Sequence, residues 1–265
     1  VVIGALAWML FWWKSNQIPL GVTALLPILI FPIAGILEAK TVGALYGHPI
    51  IFLFLGGFAL GLAIEKWNLH RRIALNILLI SGAGPDKIIL GAMAATAILS
   101  MWISNTATTV MMLPIGLSLY RLLETEVGEG KAARNFGIAL MLGIAYAANI
   151  GGMATLIGTP PNLVFASLSS SSLDREVAFA DWLIFALPLS IVLFFIIWFF
   201  LARVFFNSKS MVLGDLKPML GKELRDMGKA SKAERRVAGV LIIMACLWVF
   251  RGQLNAINLL ADLSD

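Results

Sequence analysis

The 265-residue sequence has one cysteine, Cys246, two histidines, His48 and His70, and only 13% charged residues. One thiol in an apolar run excludes a disulfide framework and a cysteine-based metal centre. Both histidines fall at loop or interface positions with no nucleophile or ligand cluster beside them, which argues against enzymatic chemistry. Glu65 and Lys66, near the end of an apolar run, read as interfacial rather than catalytic. The scarcity of charge, against about 25% in soluble domains, excludes an ordinary water-facing fold. What is abundant agrees: 60% of residues are hydrophobic and the mean hydropathy is +0.90. This is the composition of an all-α integral membrane protein. The net charge of +5 raises the question of nucleic acid. However, the basic residues lie mostly in loops between apolar runs, where topology explains them.

The chain is organised around Ile88–Tyr120, 33 residues without a charge, bounded by Asp86, Lys87, Arg121 and Glu124. One helix of that length would reach roughly 50 Å, against a hydrocarbon core of ~30 Å, while two full spans need about 40 residues and a turn. The length fits a re-entrant helical hairpin over 86–122, made of two half-helices of about four turns each. Its turn is expected at Ser104-Asn105-Thr106-Ala107-Thr108-Thr109. Non-helical backbone at that depth is tolerated only where it is buried in protein or lines a wet cavity. Ser104, Asn105 and Thr106 are good N-cap residues, so the second half-helix should aim free N–H groups and its positive dipole end at the turn, suiting an anion. The unpaired carbonyls ending the first half-helix, with the Ser100 and Ser104 hydroxyls, suit a small hard cation. The alternative is that the Ser/Thr cluster only hydrogen-bonds neighbouring helices.

Taken in order, an apolar run from Val1 reaches Trp13. A second span covers about Ile18 to Leu37, kinked at Pro19, Pro27 and Pro32. A third covers about Pro49 to Ile64, with Gly56, Gly57 and Gly61 for close packing. A short element, Ile73 to Ser81, leads through Gly82-Ala83-Gly84-Pro85 into the hairpin. After it, Asn135–Leu173 holds 39 uncharged residues. Interruptions at Asn149-Ile150-Gly151-Gly152 and Gly158-Thr159-Pro160-Pro161-Asn162 predict a helix broken over 135–168, starting near Phe136, unwinding near Asn149 and resuming beyond the prolines. Spans follow over about Trp182 to Phe206 and Val237 to Phe250. Between them lies a segment, 207–236, with Lys209, Lys217, Lys222, Arg225, Lys229, Lys232, Arg235 and Arg236, cytoplasmic by the positive-inside rule. Counting back from it places the hairpin mouth inside and Lys66, Arg71 and Arg72 outside, in mild conflict with that rule. The resulting divisions are 1–84, connecting and scaffold-type helices; 85–173, hairpin and broken helix; 174–250, further spans; and 251–265, an end where a further span should begin.

Ser100-Met101-Trp102-Ile103-Ser104-Asn105-Thr106-Ala107-Thr108-Thr109, with Met112-Leu113-Pro114-Ile115, resembles the first Ser-Asn-Thr signature of the divalent anion/sodium symporter family. Gly151-Gly152-Met153-Ala154-Thr155-Leu156-Ile157-Gly158-Thr159-Pro160-Pro161-Asn162 resembles that family's unwound loop. The resemblance implies an inverted-repeat elevator-type transporter, a homodimer when full length, in the bacterial inner membrane. It implies sodium ligands from Ser100, Ser104, Asn105, Asn149 and the backbone around Gly151, Gly152 and Gly158. Anion contacts would come from Ser104, Asn105, Thr106, Thr159 and Pro160. Sodium is the implied coupling ion, with no organic cofactor, and a succinate-like di- or tricarboxylate the implied substrate. Sodium-independent dicarboxylate exchange and sodium/sulfate symport belong to the same fold. Only one Ser-Asn-Thr turn and one broken helix are present, so the chain is expected to hold the first repeat and the start of the second, as a fragment.

Overall fold

The computed structural model describes residues 1–82, 84–128, 130–206 and 217–251, and every regular element among them is helical. Lys209 and the rest of 207–216, and the expected end at 252–265, lie outside the described residues. Four helical stretches are long and apolar enough to cross a membrane: Ala39–Lys66, Asn105–Thr125, Lys131–Ala154 and Phe179–Phe205. The chain divides into two compact units, 1–53 and 54–265.

In the first unit, α1 (Val2–Ser15) is followed by α2 (Leu20–Thr23), α3 (Leu26–Ile33) and α4 (Ala39–Tyr46). The expected second span is therefore divided: Pro19 sits at the N-cap of α2, Pro27 in the first turn of α3 and Pro32 inside it. Proline lacks an N–H and disfavours helix in the residue before it, so three of them in a short run make separate turns rather than one kinked rod. The Tyr46 hydroxyl donates to the Ala24 carbonyl and ties α4 to the α2–α3 junction.

α5 (Pro49–Lys66) runs into the second unit, which holds α6 (Leu69–Ser81), α7 (Pro85–Ser100), α8 (Asn105–Val127), α9 (Lys131–Ala154), α10 (Pro160–Leu173), α11 (Phe179–Phe199), α12 (Lys217–Asp226) and α13 (Lys232–Val249). α9 is its centre, in contact with α7, α8 and α11. Phe136, Leu140, Ile144 and Ala147 recur along α9 at helical spacing and are buried, with Ile89 and Met93 of α7 and Met112 and Leu119 of α8 in the same core. A fully buried side chain of that size contributes roughly 1.5–3 kcal/mol where water is the alternative. α11 ends in a π-helical turn, Phe200–Phe205. Its Arg203 pairs with Asp86 at 2.6 Å, while Trp198 donates its indole N–H to the Asp86 carbonyl, fastening α11 to the start of α7.

Three expectations are corrected here. α7 has the expected four turns, but α8 is 23 residues long, about 34 Å. A change in charge at Arg121 ends an apolar run without ending a helix, because Arg, Leu and Glu are good helix formers. Second, α9 does not unwind at Asn149. It stays helical through Gly151 and Gly152 to Ala154, and it begins at Lys131 rather than Phe136. The sole break falls at residues 155–159, just before the prolines that enforce it. Third, Arg71 and Arg72 do not lie across the membrane from the basic segment. Arg71 meets Glu223 of α12 at 3.2 Å, and Arg72 meets Glu234 of α13 at 2.9 Å. The reason is that α6, with 13 residues and a length of about 20 Å, packs on α7 and α12 and is too short to be a span.

Candidate ion site at the hairpin turn

The turn 101–104 separates α7 from α8. Ser104 is the N-cap of α8, its hydroxyl oxygen accepting from the Ala107 N–H at 3.3 Å. Thr109 turns its hydroxyl back onto the Asn105 carbonyl at 2.8 Å, which it can do without leaving the helix. The carbonyls at the end of α7 are less free than expected. Ala97 O accepts from Met101 N, Leu99 O from Trp102 N and Ile103 N, and Met101 O from the Thr155 hydroxyl at 2.6 Å.

Facing this turn is the last part of α9, and two missing side chains allow the approach. A β-carbon on Gly151 would overlap the Ala97 carbonyl oxygen, and one on Gly152 would overlap the Asn105 amide oxygen. The contact brings three oxygens together: the Ser100 hydroxyl lies 2.6 Å from the Ala148 carbonyl and 2.9 Å from Asn105 Oδ1. The orientation of the Asn105 amide follows from its neighbours. Asn149 donates Nδ2 to the Ala145 carbonyl at 3.1 Å, which leaves its Oδ1 to accept from Asn105 Nδ2 at 3.2 Å. Asn105 therefore presents Oδ1 to Ser100. A hydroxyl has one proton, and here it faces two acceptors. Whichever oxygen receives it, one close oxygen pair is left without a hydrogen between its members, and a small cation relieves such a pair. Ser100 is fully buried, whereas Asn149 is exposed, so the cluster is a recess with one open edge.

Behind the cluster, the break after α9 is closed by Asn162 of α10. Its Nδ2 donates to Gly152 O at 2.9 Å and to Thr155 O at 2.8 Å. Gly158 N donates to the Thr155 hydroxyl at 3.1 Å, and a β-carbon on Gly158 would come 2.6 Å from Gly152 O. The loop therefore folds back onto the end of α9 instead of opening.

Of the residues expected to act, Ser100, Asn105, Asn149, Gly151 and Gly152 meet directly, Ser104 caps the helix beside them, and Gly158 lies behind Gly152. Thr106 and Pro160 are exposed, Thr159 is the half-buried N-cap of α10, and these three take no part in the hydrogen bonds from the hairpin to α9. Thr155, Asn162 and the Ala148 carbonyl were not anticipated. A β-branched hydroxyl residue before the break and a carboxamide directly after a double proline were the signals available. His70 is buried, with Nδ1 3.4 Å from the Ile64 carbonyl, and no group of three His, Cys, Asp or Glu that could hold a metal occurs among the described residues.

This geometry stands beside close relatives. The chain is 39% identical over 253 residues to a protein of Staphylococcus saprophyticus named sodium-dependent dicarboxylate transporter SdcS, covering 94% of this chain and 49% of the relative. It is also 39% identical over 254 residues to the protein of that name in Staphylococcus aureus strain COL, with the same coverage. The chain thus spans about half the length of the curated relatives it matches. Residues 7–262 match the citrate transporter family. The match runs over nearly the whole chain, the long apolar helices are those of a membrane protein, and the chain belongs to the citrate transporter family.

Proposed function

We propose that the protein is a sodium-coupled carrier of small dicarboxylates, with a sodium ion bound at the cluster of Ser100 Oγ, Asn105 Oδ1 and Ala148 O. The observation that carries this reading is the close approach of those three oxygens, which have one hydroxyl proton between them. The names of the relatives favour sodium and a dicarboxylate, and the finer reading is a succinate-like di- or tricarboxylate. The anion would sit at the start of α8, held by free N–H groups and by Ser104, Asn105 and Thr106, with Thr159 and Pro160 contributing from the start of α10. Sodium and anion are both cargo.

The energetics favour co-binding. A helix N-terminus contributes about 0.3–2 kcal/mol toward an anion, whereas desolvating each charged group costs several kcal/mol. No Lys or Arg lies in the turn or in 149–162. A cation beside the turn is then the natural compensation: sodium orders the turn, the anion follows, and the loaded unit crosses. Each charge moving inward through 100 mV adds ~2.3 kcal/mol. α7 and α8 would form a re-entrant hairpin and, with α9 and α10, the moving part of an inverted-repeat elevator, a homodimer in the bacterial inner membrane.

The test is uptake of labelled succinate by the complete protein in proteoliposomes, with and without an inward sodium gradient. Wild-type uptake should follow the gradient, and Asn105→Ala should abolish it. Ser100→Ala should weaken apparent sodium affinity by roughly ten-fold, the worth of one hydrogen-bonded charged contact. Uptake that ignores sodium, or survives Asn105→Ala unchanged, would refute the assignment.

A further inference from the structure

We infer that the groove between α8 and α9, on the flank away from the turn, binds an anionic phospholipid of the surrounding bilayer, headgroup at Lys131 and Arg134 and one acyl chain along Met141 and Leu142. Two adjoining clefts share Tyr120 and Arg134. The first, of about 530 Å³, holds the charged side chains and also takes in Glu124, Gly130 and Lys131. The second, of about 400 Å³, is apolar and takes in Leu117, Ile138, Met141 and Leu142.

Charge and depth both fit a lipid. Lys131 and Arg134 are exposed, and neither belongs to an ion pair among the described residues. The carboxylate of Glu124 accepts from the Tyr120 hydroxyl at 2.8 Å, so the mouth holds two cations against one partnered anion. Lys131 is the first residue of α9. Met141 and Leu142 lie about 15 Å further along it, half of a ~30 Å hydrocarbon core. The charged mouth therefore sits at headgroup level and the apolar part at acyl-chain level. The Tyr120 ring lies against Gly137, where a β-carbon would come within 2.7 Å of it, and forms the floor joining the two parts. Basic pockets between membrane helices are recognised sites for anionic headgroups. A soluble anion would leave the apolar part unused, and a zwitterionic lipid would forgo the charge.

The experiment is native mass spectrometry of the complete protein released from detergent containing equal phosphatidylglycerol and phosphatidylcholine. Phosphatidylglycerol should be retained preferentially. Lys131→Gln with Arg134→Gln should cut that preference by roughly ten-fold or more, since each cation near an anionic surface is worth about five-fold. Both residues are exposed, so helical circular dichroism should not change. The control pair Lys222→Gln with Lys229→Gln should leave the preference intact. A benzophenone in place of Leu142, irradiated in phosphatidylglycerol vesicles, should yield a lipid adduct. Equal retention of both lipids by the wild type, a preference indifferent to Lys131 and Arg134, or a benzophenone adduct to polypeptide alone would overturn the proposal.

Discussion

Gly152 stands so close to Asn105 that a β-carbon on the glycine would occupy the space of the asparagine's amide oxygen. The residue that lets the helices meet and the residue that supplies a candidate ligand are thus one contact.

Gly152→Ala should push the turn away from α9. Overpacking of this kind costs about 1–3 kcal/mol, or roughly ten-fold in an equilibrium held by that contact. Sodium-dependent uptake should fall by at least that factor and thermal stability should drop. Gly56→Ala, where a β-carbon meets nothing within 4 Å, should leave both unchanged. Equal behaviour of the two variants would contradict the steric account.

Asn162 serves two carbonyls with one amide nitrogen. Asn162→Ala strands the Gly152 carbonyl, at about 1–3 kcal/mol for a buried acceptor, and leaves the Thr155 carbonyl only the 3.4 Å bond from the Gly158 N–H. Asn162→Asp should be worse, because at neutral pH it aims acceptors at acceptors. Thermal melts in detergent should therefore rank Asn above Ala above Asp, and an Asp variant as stable as wild type would sink this reading.

Glu234 is 6% exposed and caps α13 through Ser231 while paired to Arg72. The Arg72 guanidinium hydrogen-bonded to it holds its carboxyl below the ordinary value of 4.5, against the opposing effect of burial. A depressed carboxyl stabilises the fold above its unfolded-state value, and that stabilisation is lost as pH falls through the folded-state value. Glu234→Gln should cost roughly 3 kcal/mol at neutral pH, as for other broken buried pairs. Its deficit against wild type should stay constant down to about pH 4.5 and shrink below it. A deficit that grows on acidification would reverse the sign assigned here.

The Thr108 hydroxyl is fully buried and finds no partner among the described residues. Replacing an unsatisfied polar group by an apolar one of equal shape is nearly neutral or stabilising. Thr108→Val should therefore hold or raise the melting temperature by a few degrees, equivalent to about 1 kcal/mol. A loss of stability would reveal a partner for this hydroxyl.

The helices and the region of the turn were legible in the sequence because both rest on local signals. The turn falls at 101–104 rather than at the expected 104–109, since the helix starts directly after its Ser104 cap and takes in Asn105 to Thr109. Ser104 announces a helix start through its capping oxygen, and Pro160 and Pro161 announce a break through their missing N–H groups. Gly151-Gly152 misled because a glycine pair weakens a helix without ending it, and here packing against Ala97 and Asn105 decides. The placement of Arg71 and Arg72 was illegible for the same reason: their partners, Glu223 and Glu234, lie more than 150 residues further along the chain. Charge counting sees which residues are basic, whereas only the fold shows which carboxylates have claimed them. α12 lay inside a segment read for its charge alone, although Leu220 is buried.

Closing the break with the Asn162 side chain has a mechanical meaning. An interrupted helix is ordinarily a joint, but here the two sides of the interruption are stapled together, and the Thr155 hydroxyl fastens the same spot to the end of α7. Bending at 155–159 would break both Asn162 bonds at once. Under the proposed transport reading, the end of α7, the end of α9 and the start of α10 would move as a single piece, with flexibility supplied by segments outside it.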